Sequence, residues 1–295
     1  LALIHKAVYF RQREETVGRS VTRTFSTTNE QQKYLETTYG NGVRTITLNH
    51  LPTRNSLSLN MMKSLIDNIT KDQNDSTLRS IVIRAAPGKV FSAGYNLKEL
   101  MSNNDVNYHK EFFAIAENLM QALMRSPVPI IAAVDGLAAA SGCQLVAACD
   151  IAVCTENSSF STSGVNFGIF CHTPGVAVAR NVPRKVAAHM LFTGIPISAQ
   201  EALRVGLVSK VLPDAEKLDA EVETIVGAVN AKSHSVVSLG KSFFYRQIDV
   251  DTTTAYSLGT DVMLKNSQMK DGQEGMRSFV EKRKPIWSHS DDKND

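Results

Sequence analysis

The run "VDGLAAASGCQLVAACDIAV" (residues 134–153) packs alanine, glycine and serine between two apolar segments. "IIAAVDG" (130–136) before it and "DIAVCT" (150–155) after it read as short buried strands, and "SGCQLVAAC" between them reads as a helix starting near Ser141. Small residues at such a strand-to-helix junction let the backbone approach another backbone or a ligand closely. The helix that follows presents unpaired N–H groups and the positive end of its dipole. Aimed at a carbonyl oxygen, one such N–H is half of an oxyanion hole.

A second stretch, "FSAGYNLKEL" (91–100), has the same character: Ser92, Ala93 and Gly94 follow a strand and lead into a helix start. Elsewhere "GVRTITLNH" (42–50) reads as a β-branched strand and "SIVIRAA" (80–86) as a buried one. "LPTRNSLS" is a loop, with Asn55 and Ser56 as helix-start residues. Leu59, Met62, Leu65, Ile66 and Ile69 have amphipathic helical spacing, and residues 106–126 form a long helix ending before Pro127. Strands separated by helices predict an α/β fold with largely parallel sheets. Past residue 183 the pattern turns helical, with a capping box at Ser198 and Glu201.

Taken together in order and spacing, "LPTRNSLSLNMMKSL", "VFSAGYNLKEL", "IAAVDGLAAASGCQLVAACDIAV", "TGIPISAQEALRVGLVSKV" and "GQEGMRSFVEKRKPIW" resemble the enoyl-CoA hydratase/isomerase, or crotonase, superfamily. The resemblance runs from about Tyr39 to about Trp287. "TPGVAVARNVPRKVA" and "VVSLGKSFFYRQ" look like a mitochondrial subgroup of it. It implies a crotonase (ClpP-like) spiral of ββα units followed by a C-terminal helical trimerisation region. The expected layout is a leader over 1–33, a spiral core over 34–213, an oligomerisation region over 214–288 and a disordered tail over 289–295. It implies an acyl-CoA thioester as substrate or ligand, no separate cofactor and no metal, and a homotrimer or dimer of trimers. The backbone N–H groups of Tyr95 and Ser141 become the two oxyanion donors. Arg54, Ala93 and Lys98 are expected along the coenzyme A path. Lys282, with Phe279 beside it, is expected to reach the same site from a neighbouring subunit.

The chain departs from the pattern where chemistry is concentrated. The family's hydratases use two glutamates to position and activate water. Those positions hold Gln144 and Gly164, and the aspartate of the dienoyl isomerase branch is replaced by Asn166. Gln144 can hold a water but cannot take its proton, and Gly164 has no side chain. Losing a general acid or base removes roughly 10²–10⁴ in rate per group. The expectation is acyl-CoA binding with weak or absent hydration. The alternatives are another acyl-CoA isomerase, hydrolase or decarboxylase reaction, or a non-catalytic sensor or partner subunit. His172 is a candidate replacement base and Cys171 a weaker candidate nucleophile, while the Tyr95 phenol is expected to pack over the thioester arm. Asp150 is expected to anchor the next strand, Asp135 to shape a turn, and Lys98 and Glu99 to lie on a solvated helix face.

Bulk properties limit the rest. The 295 residues carry a formal charge of +3 and no Lys/Arg run, which argues against nucleic acid. No apolar run is long enough for a membrane span. Cys143, Cys149, Cys154 and Cys171 lack a CxxC pair and read as buried apolar residues. Leu1 stands where a methionine would start a chain, so a missing true N-terminus is expected. Lys6, Arg11, Arg13, Arg19 and Arg23, with "RTFST" at 23–27, suit a mitochondrial transit peptide and a matrix location.

Overall fold

The computed structural model describes residues 23–24 and 34–292. The expected leader therefore lies outside the described residues, apart from β1 (Arg23–Thr24), which pairs antiparallel with β2 (Leu35–Gly40).

Three successive ββα turns build the core. β3 (Val43–Leu48) follows β2 in a hairpin and buries Arg44, Ile46 and Leu48, and α1 (Leu59–Thr70) packs its apolar stripe beneath. The first turn is β4 (Ser80–Ala85), β5 (Val90–Ser92), α2 (Leu97–Ser102) and α3 (Val106–Arg125). The second is β6 (Ile130–Val134), β7 (Leu137–Ala139) and α4 (Ser141–Ala148). The third is β8 (Ile151–Thr155), β9 (Ser159–Ser161), α5 (His172–Asn181) and α6 (Arg184–Thr193). Within each turn one strand joins a larger sheet and the next a smaller one. β10 (Ile197–Ser198), α7 (Ala199–Arg204) and β11 (Lys210–Leu212) complete the sheets. The larger has the order β1-β2-β3-β4-β6-β8-β11, parallel from β3 onward; the smaller is β10-β9-β7-β5, parallel except for β9–β10. The fold is the α/β spiral that the sequence resemblance implied. In the middle of the larger sheet β6 and β8 are largely continuous apolar runs, as buried parallel strands are.

The helical half is α8 (Ala215–Asn230), α9 (His234–Gln247), α10 (Thr252–Gln268) and α11 (Lys270–Val280). It is tied to the spiral through Asp150. This carboxylate accepts from the Ile130 N–H (2.6 Å), Lys241 Nζ (2.7 Å) and the Tyr245 hydroxyl (2.7 Å). Lys241 also donates to the carbonyls of Leu123 and Val128, so a nearly buried ammonium has its three donors filled. Asp150 anchors a strand as expected and clamps α9 as well.

Several local expectations change. α1 begins one turn later than Asn55: its N-cap is Ser58, whose hydroxyl accepts from Met61 N–H. Asn55 instead joins two loops, as described below. Residues 289–292, expected to be loose, fold back. Asp271 accepts from the N–H and hydroxyl of Ser288 and from the N–H of His289, and Lys270 N–H donates to Asp292.

Candidate active site

The first small-residue turn is held by Asn55. Its side chain accepts from His50 N–H (2.7 Å) and donates to the Phe91 carbonyl (3.1 Å), while Ser92 Oγ donates to the Asn55 carbonyl (2.8 Å). Asn55 has φ +52°, a left-handed conformation that asparagine tolerates. Further on, Leu57 N–H donates to Gly94 O (2.7 Å) and Asn96 N–H to Leu57 O (3.2 Å). These two bonds bracket Tyr95 on one edge. By the alternation of extended backbone, the N–H of Tyr95 points to the opposite edge. There it meets no acceptor among the described residues.

On that opposite edge lies the second turn. Gly94 (φ +86°) has no room for a side chain: an added Cβ would stand 2.8 Å from Ala139 O and 3.2 Å from Ser141 N. Gly142 is pressed in the same way against Ser92, whose carbonyl would be 2.5 Å from an added Cβ. The glycines are thus what lets the two turns touch. Ala140 takes φ +49° and ψ −117°, a strained state for a residue with a Cβ. It re-aims the chain at the start of α4, which has no side-chain cap. Ser141 N–H, the first of the helix, has no intrahelical acceptor and no other partner among the described residues.

Tyr95 and Ser141 both line a cavity of about 340 Å³, together with Ala93, Ala140, Ser163, Gly164 and His172. Apart from Cys171 and Thr173 its other walls are apolar, and no Asp or Glu among the described residues lines it. The Tyr95 hydroxyl lies 3.2 Å from Thr173 Oγ1, its ring stands edge-on to Phe112 and Phe113, and burial raises the phenol above its ordinary value. His172 is exposed at the start of α5, edge-on to Phe170.

Gln144 lies one turn into α4, buried behind this wall rather than on it. Among the described residues its Oε1 has no partner, and neither do Ser141 Oγ and Thr162 Oγ1. Each such buried orphan costs roughly 1–3 kcal/mol unless something satisfies it. Gly164 is enclosed. Its N–H donates to Cys171 Sγ (3.3 Å), its carbonyl accepts from Ile169 N–H (3.1 Å), and an added Cβ would collide with the Ile169 carbonyl. Asn166 packs against Gly194 at the end of α6, where its amide would lie 2.8 Å from an added Cβ.

The thiol of Cys171 is pushed up by burial, with the Gly164 N–H opposing, and burial raises Cys143 to about 12. Neutral thiols are poor nucleophiles, so the site does not favour Cys171 in that role. Asp135 accepts from Thr155 Oγ1 (2.7 Å) and serves the turn. Glu99 does not lie on a free helix face: its carboxylate accepts from Leu59 N–H and from the Tyr108 hydroxyl (2.7 Å). Sequence spacing gave no signal for this acid, because both partners come from other helices.

Of the remaining expected residues, Arg54 and Lys98 lie beside the first turn. Arg54 O accepts from Ala93 N–H (3.0 Å), and both side chains are exposed without ion pairs among the described residues. Phe279 and Lys282, at the far end of α11, do not line the cavity, and Phe279 is 84% exposed. Among the described residues no group of three or more His, Cys, Asp or Glu gathers as a metal site, and no helix is long and apolar enough to cross a membrane.

The sequence pattern described as enoyl-CoA hydratase/isomerase matches residues 38–290. The mitochondrial enoyl-CoA hydratase domain-containing protein 3 of Xenopus laevis is 55% identical over 249 residues, covering 84% of each chain. The crystal structure of human enoyl-CoA hydratase domain-containing protein 3 superposes with a TM-score of 0.83 at 51% identity, over 86% of this chain and 99% of that one. An enoyl-CoA hydratase of Mycobacterium smegmatis superposes with a TM-score of 0.83 at 42% identity, over 86% and 98% of the two chains. The chain belongs to the enoyl-CoA hydratase/isomerase family.

Proposed function

We propose that this chain binds acyl-CoA thioesters in the mitochondrial matrix, as part of fatty-acid metabolism, and polarises the thioester carbonyl without efficient hydration. One observation carries the reading: two main-chain amides without acceptors, Tyr95 and Ser141, flank a cavity whose lining holds no carboxylate. A thioester oxygen between them accepts both N–H groups. Each such donor contributes about 3–4 kcal/mol to stabilising enolate-like charge in enzymes where it has been removed. The α4 dipole adds to the same field.

Hydration needs more than this. A water must lose a proton as it attacks the β-carbon, and no Asp or Glu on the wall can take it. Arg54 and Lys98 supply cations for the coenzyme A phosphates, and Lys282 and Phe279 serve a neighbouring copy in a trimer or a dimer of trimers. Support for assembly comes from the apolar surface of α10, where Tyr256, Met263 and Leu264 are exposed.

A second reading keeps catalysis but changes the reaction. His172 is the imidazole on the wall, and it can serve a proton transfer that needs no carboxylate. Crotonyl-CoA hydration by the purified protein, run beside thermal shifts with acyl-CoA, tests both. The expected result is a raised melting temperature with little or no hydration. Turnover like that of an authentic hydratase overturns the proposal. Native mass spectrometry showing multiples of three subunits is expected for the assembly.

A further inference from the structure

We propose that the acyl group held in this cavity is a medium-length, unsubstituted hydrocarbon chain of about eight to ten carbons, at roughly 30 Å³ per heavy atom, the share of a liquid water molecule. This rests on the reading of the cavity as an acyl-CoA site. At about 340 Å³ the cavity holds on the order of eleven non-hydrogen atoms on that measure, the thioester included.

The walls argue for hydrocarbon. Leu97 and Leu100 from α2, Phe113 from α3, and Phe167, Ile169 and Phe170 from the loop after β9 converge on the same space. Four of these are exposed in the single chain: Phe167 67%, Ile169 53%, Phe113 43% and Leu97 42%. Exposed large apolar residues gathered round one cavity mark a surface that is covered in use. A two- to four-carbon acyl group leaves most of them wet. A longer chain lying against them removes that apolar surface from water.

Charge argues against a dicarboxylic acyl group. Among the described residues no Lys or Arg lines the cavity, so a terminal carboxylate would be taken out of water without a permanently charged partner. The closed loop at Gly164 is part of the same wall. The Ile169 carbonyl fills the seat of a side chain at 164, so no polar side chain can project from that position, and Ile169 lines the cavity beside it.

The test is calorimetric titration of the full chain with free coenzyme A and with acetyl-, butyryl-, octanoyl-, decanoyl-, palmitoyl- and succinyl-CoA. Affinity should rise about fourfold per methylene, the value for full burial, up to eight to ten carbons and then level off. Phe167→Ser, at an exposed position that folding does not need, should flatten that slope. The inference is overturned by a flat series, by tightest binding at two to four carbons, by a rise that continues to palmitoyl-CoA, by preference for succinyl-CoA, or by an unchanged slope in Phe167→Ser. Binding of free coenzyme A as tight as that of every acyl form also overturns it, while leaving coenzyme A recognition standing. If no coenzyme A compound binds, the reading of the site itself fails and takes this inference with it.

Discussion

The carbonyl of Ile169 occupies the place where the first side-chain carbon of any larger residue at Gly164 would have to sit. The loop is held in this form by Ile169 N–H to Gly164 O and by Gly164 N–H to Cys171 Sγ. The missing second carboxylate is therefore built into the backbone path. Gly164→Ala should lower stability by about 1–3 kcal/mol, the usual cost of overpacking a backbone contact, read as a fall in melting temperature. Gln144→Glu combined with Gly164→Glu should not restore crotonyl-CoA hydration. A large gain in the double variant would show that the loop opens freely.

The contact between the two turns yields an opposed pair of outcomes. Gly94→Ala places a Cβ against Ala139 O at positive φ, so it should both destabilise the chain and push the Tyr95 and Ser141 amides apart. Ala140→Gly relieves a strained conformation worth about 1–3 kcal/mol and should raise the melting temperature. Acyl-CoA affinity should fall in the first variant. If Gly94→Ala binds acyl-CoA as the parent does, the two turns need not touch for the site to form.

Asp150 and Lys241 form a buried pair with every donor and acceptor engaged. Lys241→Met alone leaves a carboxylate buried without its cation and should cost about 3–5 kcal/mol. Asp150→Leu with Lys241→Met should cost much less, which chemical denaturation of the three proteins would show. A loss of acyl-CoA binding at unchanged stability would instead place Asp150 in the site.

Acid should loosen the C-terminal segment before the spiral. The Glu274 carboxylate is lowered to about 2, first by its bidentate hydrogen bonds from Arg283 and then by Ile286 N–H. For Asp271, burial pushes upward, but donors from Ser233, Ser288 and His289 outweigh it and the net shift is downward. Carboxylates with folded values below their unfolded ones contribute stability that is present above about pH 4.5 and lost as pH falls toward 2. Trp287, the sole tryptophan, donates to Ala231 O and packs on Gly275. Its fluorescence should change across that window, ahead of the far-ultraviolet helix signal. A simultaneous loss of both signals would contradict this order.

The sequence carried the elements that depend on local spacing. The alternation of strands with helices, the helix starting at Ser141 and the capping box at Ser198 are all as read, while the ββα units came only from the family resemblance. So were the small residues at Gly94 and Gly142, because a glycine at a junction reports a close approach even when the partner is unknown. The two substituted positions, Gln144 and Gly164, were visible by counting along a familiar pattern. What stayed hidden depends on contacts across the chain. The three-residue strands of the smaller sheet are too short for periodicity to show. Glu99 on the Leu59 N–H and Asp271 holding Ser288 join segments far apart in the chain, and the Ile169 carbonyl over Gly164 follows from a loop path that residue types alone do not specify. The apolar lining from Phe167 to Phe170 has no periodicity of its own that would mark it, and only the fold brings it to the same cavity as Leu97 and Phe113.

The most direct measurement is isotope-edited infrared spectroscopy of a bound acyl-CoA carrying ¹³C at its thioester carbonyl. Two convergent amides should lower the stretching frequency below that of the same thioester free in water, and Gly94→Ala should return it toward the free value. A bound carbonyl that absorbs where the free one does would show that Tyr95 and Ser141 do not grip the thioester oxygen, and the account would not stand.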